Sequence, residues 1–236
     1  MILKAMKFKH LIPILLLVFL GCEKAKIDEM PSNITKVGLI ANLVDSLKII
    51  IPENGNVSQN SPYLFSDTIQ KNIVLIKESK VFVTFIDEGA SYRNTLCWYS
   101  YYKSQPPLSV SDIKGNVLFP NISGKGEGGL LEPGYTAQVG TETFPAGTVI
   151  GFFLIANGWN DGNINYSNPT YYTNNNLNKG GEQWHVLFKN AYSHNIVIGF
   201  EDYAIGGDYN DVLFAVSDNN EGYEATSFDL SKVVVR

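Results

Sequence analysis

The chain is predicted to fold as an all-β protein, an antiparallel β-sandwich of jelly-roll-like kind. Three observations predict it. Short runs rich in Val, Ile, Phe, Tyr and Thr recur along the chain, each broken by Gly, Asn, Asp or Pro. There is no long amphipathic helical pattern and no internal repeat at a period of about 20 to 50 residues. The runs are also of two kinds. Val81, Val83 and Phe85 alternate with other residues, as in a strand with one buried face, whereas 149–155 is apolar on both faces, as in a central strand covered on both sides.

Taken in order, strands are expected at 36–41, 46–51, 72–76, 80–87, 95–102, 116–119, 135–139, 148–156, 170–173, 183–188, 195–201, 211–217 and 227–235. Many short strands with regular turn signals favour a sandwich over a mixed fold. The Cys-Trp-Cys signature of an immunoglobulin domain is missing. Two connections are long: 157–178 holds nine asparagines, and 123–134 is rich in glycine. Long ordered loops are often functional.

The N-terminus reads as a processing segment. Lys4, Lys7 and Lys9 precede an apolar run of ten residues, Leu11 to Leu20. A bilayer span needs about 20. Leu20-Gly21-Cys22 resembles a bacterial lipobox, with Phe19 where Leu is more usual. The expected organisation is a signal peptide at 1–21, a lipidated Cys22 with a flexible tether to 35, and one domain over 36–236. Two acyl chains hold a protein on a membrane stably, where one binds only marginally. The expected location is therefore a bacterial cell envelope, at the outer membrane or cell surface.

Loss of the leader removes three lysines and no acid, which takes the formal charge from −5 to −8. Such a surface disfavours nucleic acid and anionic lipid. Cys97 would then be the only thiol besides the lipidated one, so no internal disulfide forms. It reads as a small buried hydrophobe.

The densest chemistry lies between two expected strands. Glu201 and Asp202 end one; Asp208, Asn210 and Asp211 begin the next, across a Gly206-Gly207 hinge. Clustered oxygen donors on a turn suit a hard cation such as calcium. Asp and Asn also serve as ordinary turn formers, so both readings stand. By the alternation of side chains, Asp208 and Asn210 face one way and Asp211 the other, which makes one of Asn210 and Asp211 structural. Asp87 and Glu88 are further contributors by type, and Asp161 begins an Asp-x-Asn-x-Asn run that fails as an EF-hand at Tyr166 and Tyr172.

Trp159, Tyr166, Tyr171 and Tyr172 sit in the Asn-rich connection and could form a sugar platform, or pack into the sandwich. The search for catalytic machinery finds no zinc spacing around His185 and His194, no Gly-x-Ser-x-Gly elbow and no phosphate loop. The chain is therefore expected not to be an enzyme, although any two acids facing across a cleft could act on a glycoside.

Four blocks carry a resemblance. They are Val81 to Leu96 running on to Tyr101, Val117 to Ser123, Phe144 to Trp159, and the acidic turn with Phe200-Glu201-Asp202 and Asp208-Tyr209-Asn210-Asp211. Over about 47–218 the chain resembles the domain of unknown function found in LruC-type bacterial lipoproteins and other secreted or surface bacterial proteins. That pattern usually has one more Asp in the turn, which is shorter here. The resemblance brings no established activity. Its frequent company with calcium-dependent surface proteins implies calcium at the turn. The function expected is a lipid-anchored binding or surface-structural module with a structural calcium site and an envelope protein or glycan partner; the alternative is a carbohydrate-binding module.

Overall fold

A computed structural model describes residues 26–39, 43–191, 196–221 and 225–236. The expected leader, Cys22 and His194 lie outside them. Thirteen strands lie among the described residues: β1 (Thr35–Lys36), β2 (Ile73–Val74), β3 (Phe82–Asp87), β4 (Thr95–Tyr102), β5 (Asn116–Phe119), β6 (Tyr135–Gln138), β7 (Thr148–Ile155), β8 (Trp159–Asn160), β9 (Asn163–Ile164), β10 (Thr170–Tyr172), β11 (His185–Lys189), β12 (Ile196–Phe200) and β13 (Val212–Ser217). They form an antiparallel β-sandwich. One sheet runs β1-β6-β3-β13-β12-β11; the other runs β10-β7-β4-β5, with β2 also on β7. The strands β8 and β9 make a separate small hairpin. No helix among the described residues is long and apolar enough to cross a membrane.

Side-chain alternation explains the layers. Ile150, Phe152 and Leu154 of β7 point inward with Leu96 and Trp98 of β4, and meet Phe85, Ile198, Phe200, Val212, Phe214 and Val216 of the facing sheet. The intervening residues point outward. On the first sheet these are Ile86, Val186, Phe188, Val197, Leu213 and Ala215. On the second they are Cys97, Tyr99, Phe153, Ile155 and Tyr172, covered by Leu177. Each such side chain contributes about 1.5–3 kcal/mol when fully buried. Both sheets are thus apolar on both faces over much of their area, and Cys97 is a buried free thiol whose pKa burial pushes up to about 12.

The outer cover of the first sheet corrects the expected strand at 46–51. The residues form an α-helix, α1 (Leu43–Ile50), followed by a short α2 (Val57–Asn60) and a 3-10 turn at Pro62–Phe65. Leu43, Leu47 and Ile51 recur every fourth residue and are all buried against that sheet. Asp45 in the first turn and Lys48 in the last complement the helix dipole. The expected strand at 227–235 is not formed either. Phe228 bridges to Leu75 and Val235 to Lys189, with turns between.

The segment from Lys26 to Lys36 lies along the domain rather than leading freely to it. The Ile27 N–H donates to Gly162 O at 2.8 Å, Glu29 Oε1 accepts Asn121 Nδ2 at 2.8 Å, and Met30 and Ile34 pack on the core.

Candidate functional site

One end of the sandwich gathers four connections. They are 88–94 between β3 and β4, 120–134 between β5 and β6, 156–169 between β7 and β10, and 201–211 between β12 and β13. Backbone bonds join them. The Ile122 N–H donates to Asn94 O at 2.8 Å, Trp159 N–H to Arg93 O at 2.9 Å, and Gly89 N–H to Asn210 O at 3.1 Å.

Within this end, Glu201, Asp202 and Asp211 each bring a carboxylate oxygen within 4.8 Å of the others. Glu201 and Asp202 are 6% and 5% exposed. Asp202 is held at two points: its backbone N–H donates to Asp211 Oδ2 at 2.7 Å, and its Oδ2 accepts Asn94 Nδ2 at 2.7 Å. Glu201 is held less completely. Oε1 accepts the Ala204 N–H at 3.4 Å, and Oε2 is buried with no hydrogen-bond partner. An orphaned buried carboxylate oxygen costs desolvation that nothing on the protein returns.

Three carboxylates in this space cannot all be charged without a counter-charge. Burial pushes the Asp211 carboxyl up to about 9, and the charges of Asp202 and Glu201 add to the rise. Burial also raises Glu201 and Asp202, with Asp208 adding to each. The group is poised to hold either a proton or a cation. Its donors are all carboxylate oxygens, the set preferred by calcium and magnesium over softer metals.

The expected ligand set therefore divides. Asp208 and Asn210 turn away from the cluster, toward the connection after α1. Asp208 Oδ2 accepts the Asn54 N–H at 2.7 Å, and Asn210 Nδ2 donates to Glu53 Oε2 at 3.1 Å. Tyr209 between them is the reason. Its buried ring packs edge-on against Phe65 at 5.1 Å, and its hydroxyl donates to Gln183 O at 3.1 Å. To place that ring, Tyr209 adopts φ 56, a left-handed conformation that costs about 1–2 kcal/mol. Burial of the ring offsets this. Asp208 and Asn210 thus share one side and Asp211 takes the other, but strand alternation is not the cause, since β13 begins only at Val212 and Tyr209 is left-handed.

Glu88 lies beside the cluster. Its Oε2 accepts the Gly124 N–H at 2.9 Å, and burial pushes its carboxyl up to about 7, with Glu127, Asp202 and Asp87 adding. Asp87 ends β3 opposite Leu213. Asp161 is not part of the cluster. It is exposed and bonded to the Arg93 guanidinium at 2.6 Å, which holds its carboxyl below the usual range.

The aromatic platform is not assembled. Trp159 and Tyr172 are buried, Tyr171 stacks on Trp184 with ring centres 3.8 Å apart, and Tyr166 alone of the four is largely exposed. The residue that sequence reasoning missed is Asn94. A buried Asn that clamps a carboxylate looks, in sequence, like any loop Asn.

No curated protein and no solved structure matches the chain. Residues 144–219, which run from just before β7 through the acidic cluster to just beyond β13, match the family model described as "Domain of unknown function (DUF4114)".

Proposed function

We propose that this domain is a cation-binding module of a bacterial envelope lipoprotein, with a calcium-like divalent ion held by Glu201, Asp202 and Asp211. The observation that carries the reading is the Glu201 carboxylate, buried beside those of Asp202 and Asp211, with its Oε2 lacking a hydrogen-bond partner. The ion's role is structural. It neutralises the connection between β12 and β13 and ties its two ends together, so that the exposed surface at this end keeps one shape for a partner in the envelope. The lipid anchor rests on Leu20-Gly21-Cys22 and its apolar run.

Thermal unfolding of the full-length chain in calcium, in magnesium and in chelator tests the reading. An ion at a hundredfold excess over its Kd adds about 2.7 kcal/mol. For a chain of this size that is about 5–10 °C in Tm. A saturable rise with calcium, lost in Asp211→Asn, is expected. The same Tm in all three conditions would end the cation reading.

A further inference from the structure

The carboxamide of Asn94 is fully buried, and both its ends are engaged. Its Nδ2 donates to Asp202 Oδ2 at 2.7 Å, and its Oδ1 accepts the Asn157 N–H at 2.9 Å. One side chain therefore spans from the acidic cluster to the second residue of the connection that leaves β7. The next residue back clasps the same turn. The Arg93 N–H donates to Asn157 Oδ1 at 3.4 Å, its carbonyl accepts the Trp159 N–H, and its guanidinium pairs with Asp161. The turn itself is under backbone strain: Asn157 and Asp161 have φ 48 and 43. Residues in this region persist only where their surroundings hold them.

A planar amide is suited to such a double task. Its donor end favours Asp202 as a carboxylate and fixes the plane of that group. Partners of this kind orient metal ligands as firmly as the ligands themselves hold the metal. Its acceptor end pins the one backbone N–H that opens the strained turn. Movement of Asp202 toward an ion and the position of Asn157 are thereby joined through one rigid group.

We propose that Asn94 is a positioning residue that orients Asp202 for the cation and, through the same amide, passes the ion's occupancy to the turn at 157–161, where Asn157, Asn160 and Asp161 are exposed. This inference rests on the cation reading. Its consequence is that the ion orders a surface on a different connection from the one that binds it. By linkage, anything that holds the turn would tighten the ion in return.

The test combines calcium titration by calorimetry with hydrogen exchange at 157–161, on full-length wild type, Asn94→Ala and Asn94→Asp. In wild type, calcium is expected to slow exchange at Asn157 and its neighbours by about 5- to 150-fold, the usual span of coupling between sites. In Asn94→Ala, calcium binds more weakly and the turn no longer responds. Asn94→Asp keeps the acceptor for Asn157 but sets a carboxylate against Asp202. Its Tm is therefore expected to fall in chelator and to be largely restored by calcium. Calcium binding to wild type without a change at 157–161 would overturn the inference and leave the cation reading intact. Absence of calcium binding to wild type would remove both. If Asn94→Ala does not fold, Asn94→Asp decides: an equal loss of Tm with and without calcium would make Asn94 an ordinary structural amide.

Discussion

The carboxylate of Glu201 lies directly against the bare Cα of Gly207: a Cβ built there would stand 2.8 Å from Glu201 Cδ and closer still to Oε2. The second glycine of the hinge is thus a matter of space more than of backbone freedom, since only Gly206 has a positive φ, at 87. Gly207→Ala is expected to displace the Glu201 carboxylate without removing a ligand. Calcium affinity should fall at least about tenfold, or about 1.4 kcal/mol. Calorimetry on the variant reads it directly, and an unchanged Kd would mean that Glu201 does not hold the ion.

Asp208 and Asp211 are three residues apart and should behave in opposite ways. Asp208→Ala loses the bond from the Asn54 N–H, a cost of about 1 kcal/mol that should be the same in calcium and in chelator. Asp211→Asn removes the carboxyl whose ionised form burial most disfavours and keeps an oxygen for the Asp202 N–H. In chelator it should melt higher than wild type; in calcium it should lose the ion's contribution. A parallel loss for both variants in both buffers would make the two aspartates equivalent turn formers.

His185 sets an acid limit. It is fully buried, its Nε2 bonds to Lys71 O at 3.0 Å, and its Nδ1 has no partner. Burial, with a contribution from the Lys71 charge, lowers its pKa to about 3. The unfolded chain takes up the proton near pH 6.5 and the folded chain does not. Stability is therefore present above about 6.5 and is lost as pH falls toward 3, by about 2 kcal/mol at pH 5. The acidic cluster works the other way in this range, because its folded pKa is raised. Denaturant unfolding of wild type and His185→Leu at pH 7 and pH 5 isolates the histidine. The gap between the two proteins should shrink by that amount, and a constant gap would refute the assignment.

The two faces of α1 should differ sharply. Leu47 is fully buried against the first sheet, and Leu47→Ala should cost about 2–5 kcal/mol. Ile49 is 83% exposed, and Ile49→Ser should stay within about 0.5 kcal/mol of wild type. Equal costs would contradict the helix, whose residues an alternating strand would sort differently.

The sandwich was legible because strands β4 and β5 carry short runs rich in apolar and aromatic residues between turn residues, and their expected ends match the observed ones. The helix was not read, although its period was present, because Ile49, Ile50 and Ile51 weigh toward strand on local preference. Contact of Leu43, Leu47 and Ile51 with the sheet overrides that preference. At the site, residue type located the acidic connection. Type could not show that Tyr209 would turn inward and carry Asp208 and Asn210 toward Glu53 and Asn54. The role of Asn94 depends on a contact 108 residues away, and no local pattern encodes it.

That separation also dictates an order of events. Asp202 meets its amide only after both β4 and β12 are in place, and Asp211 is fixed only once β13 has inserted between β12 and β3. A growing chain that has not yet delivered β13 has no acid cluster to fill. An ion held by this cluster would therefore act only late, as a lock on a finished sandwich, and would not serve as a seed for one.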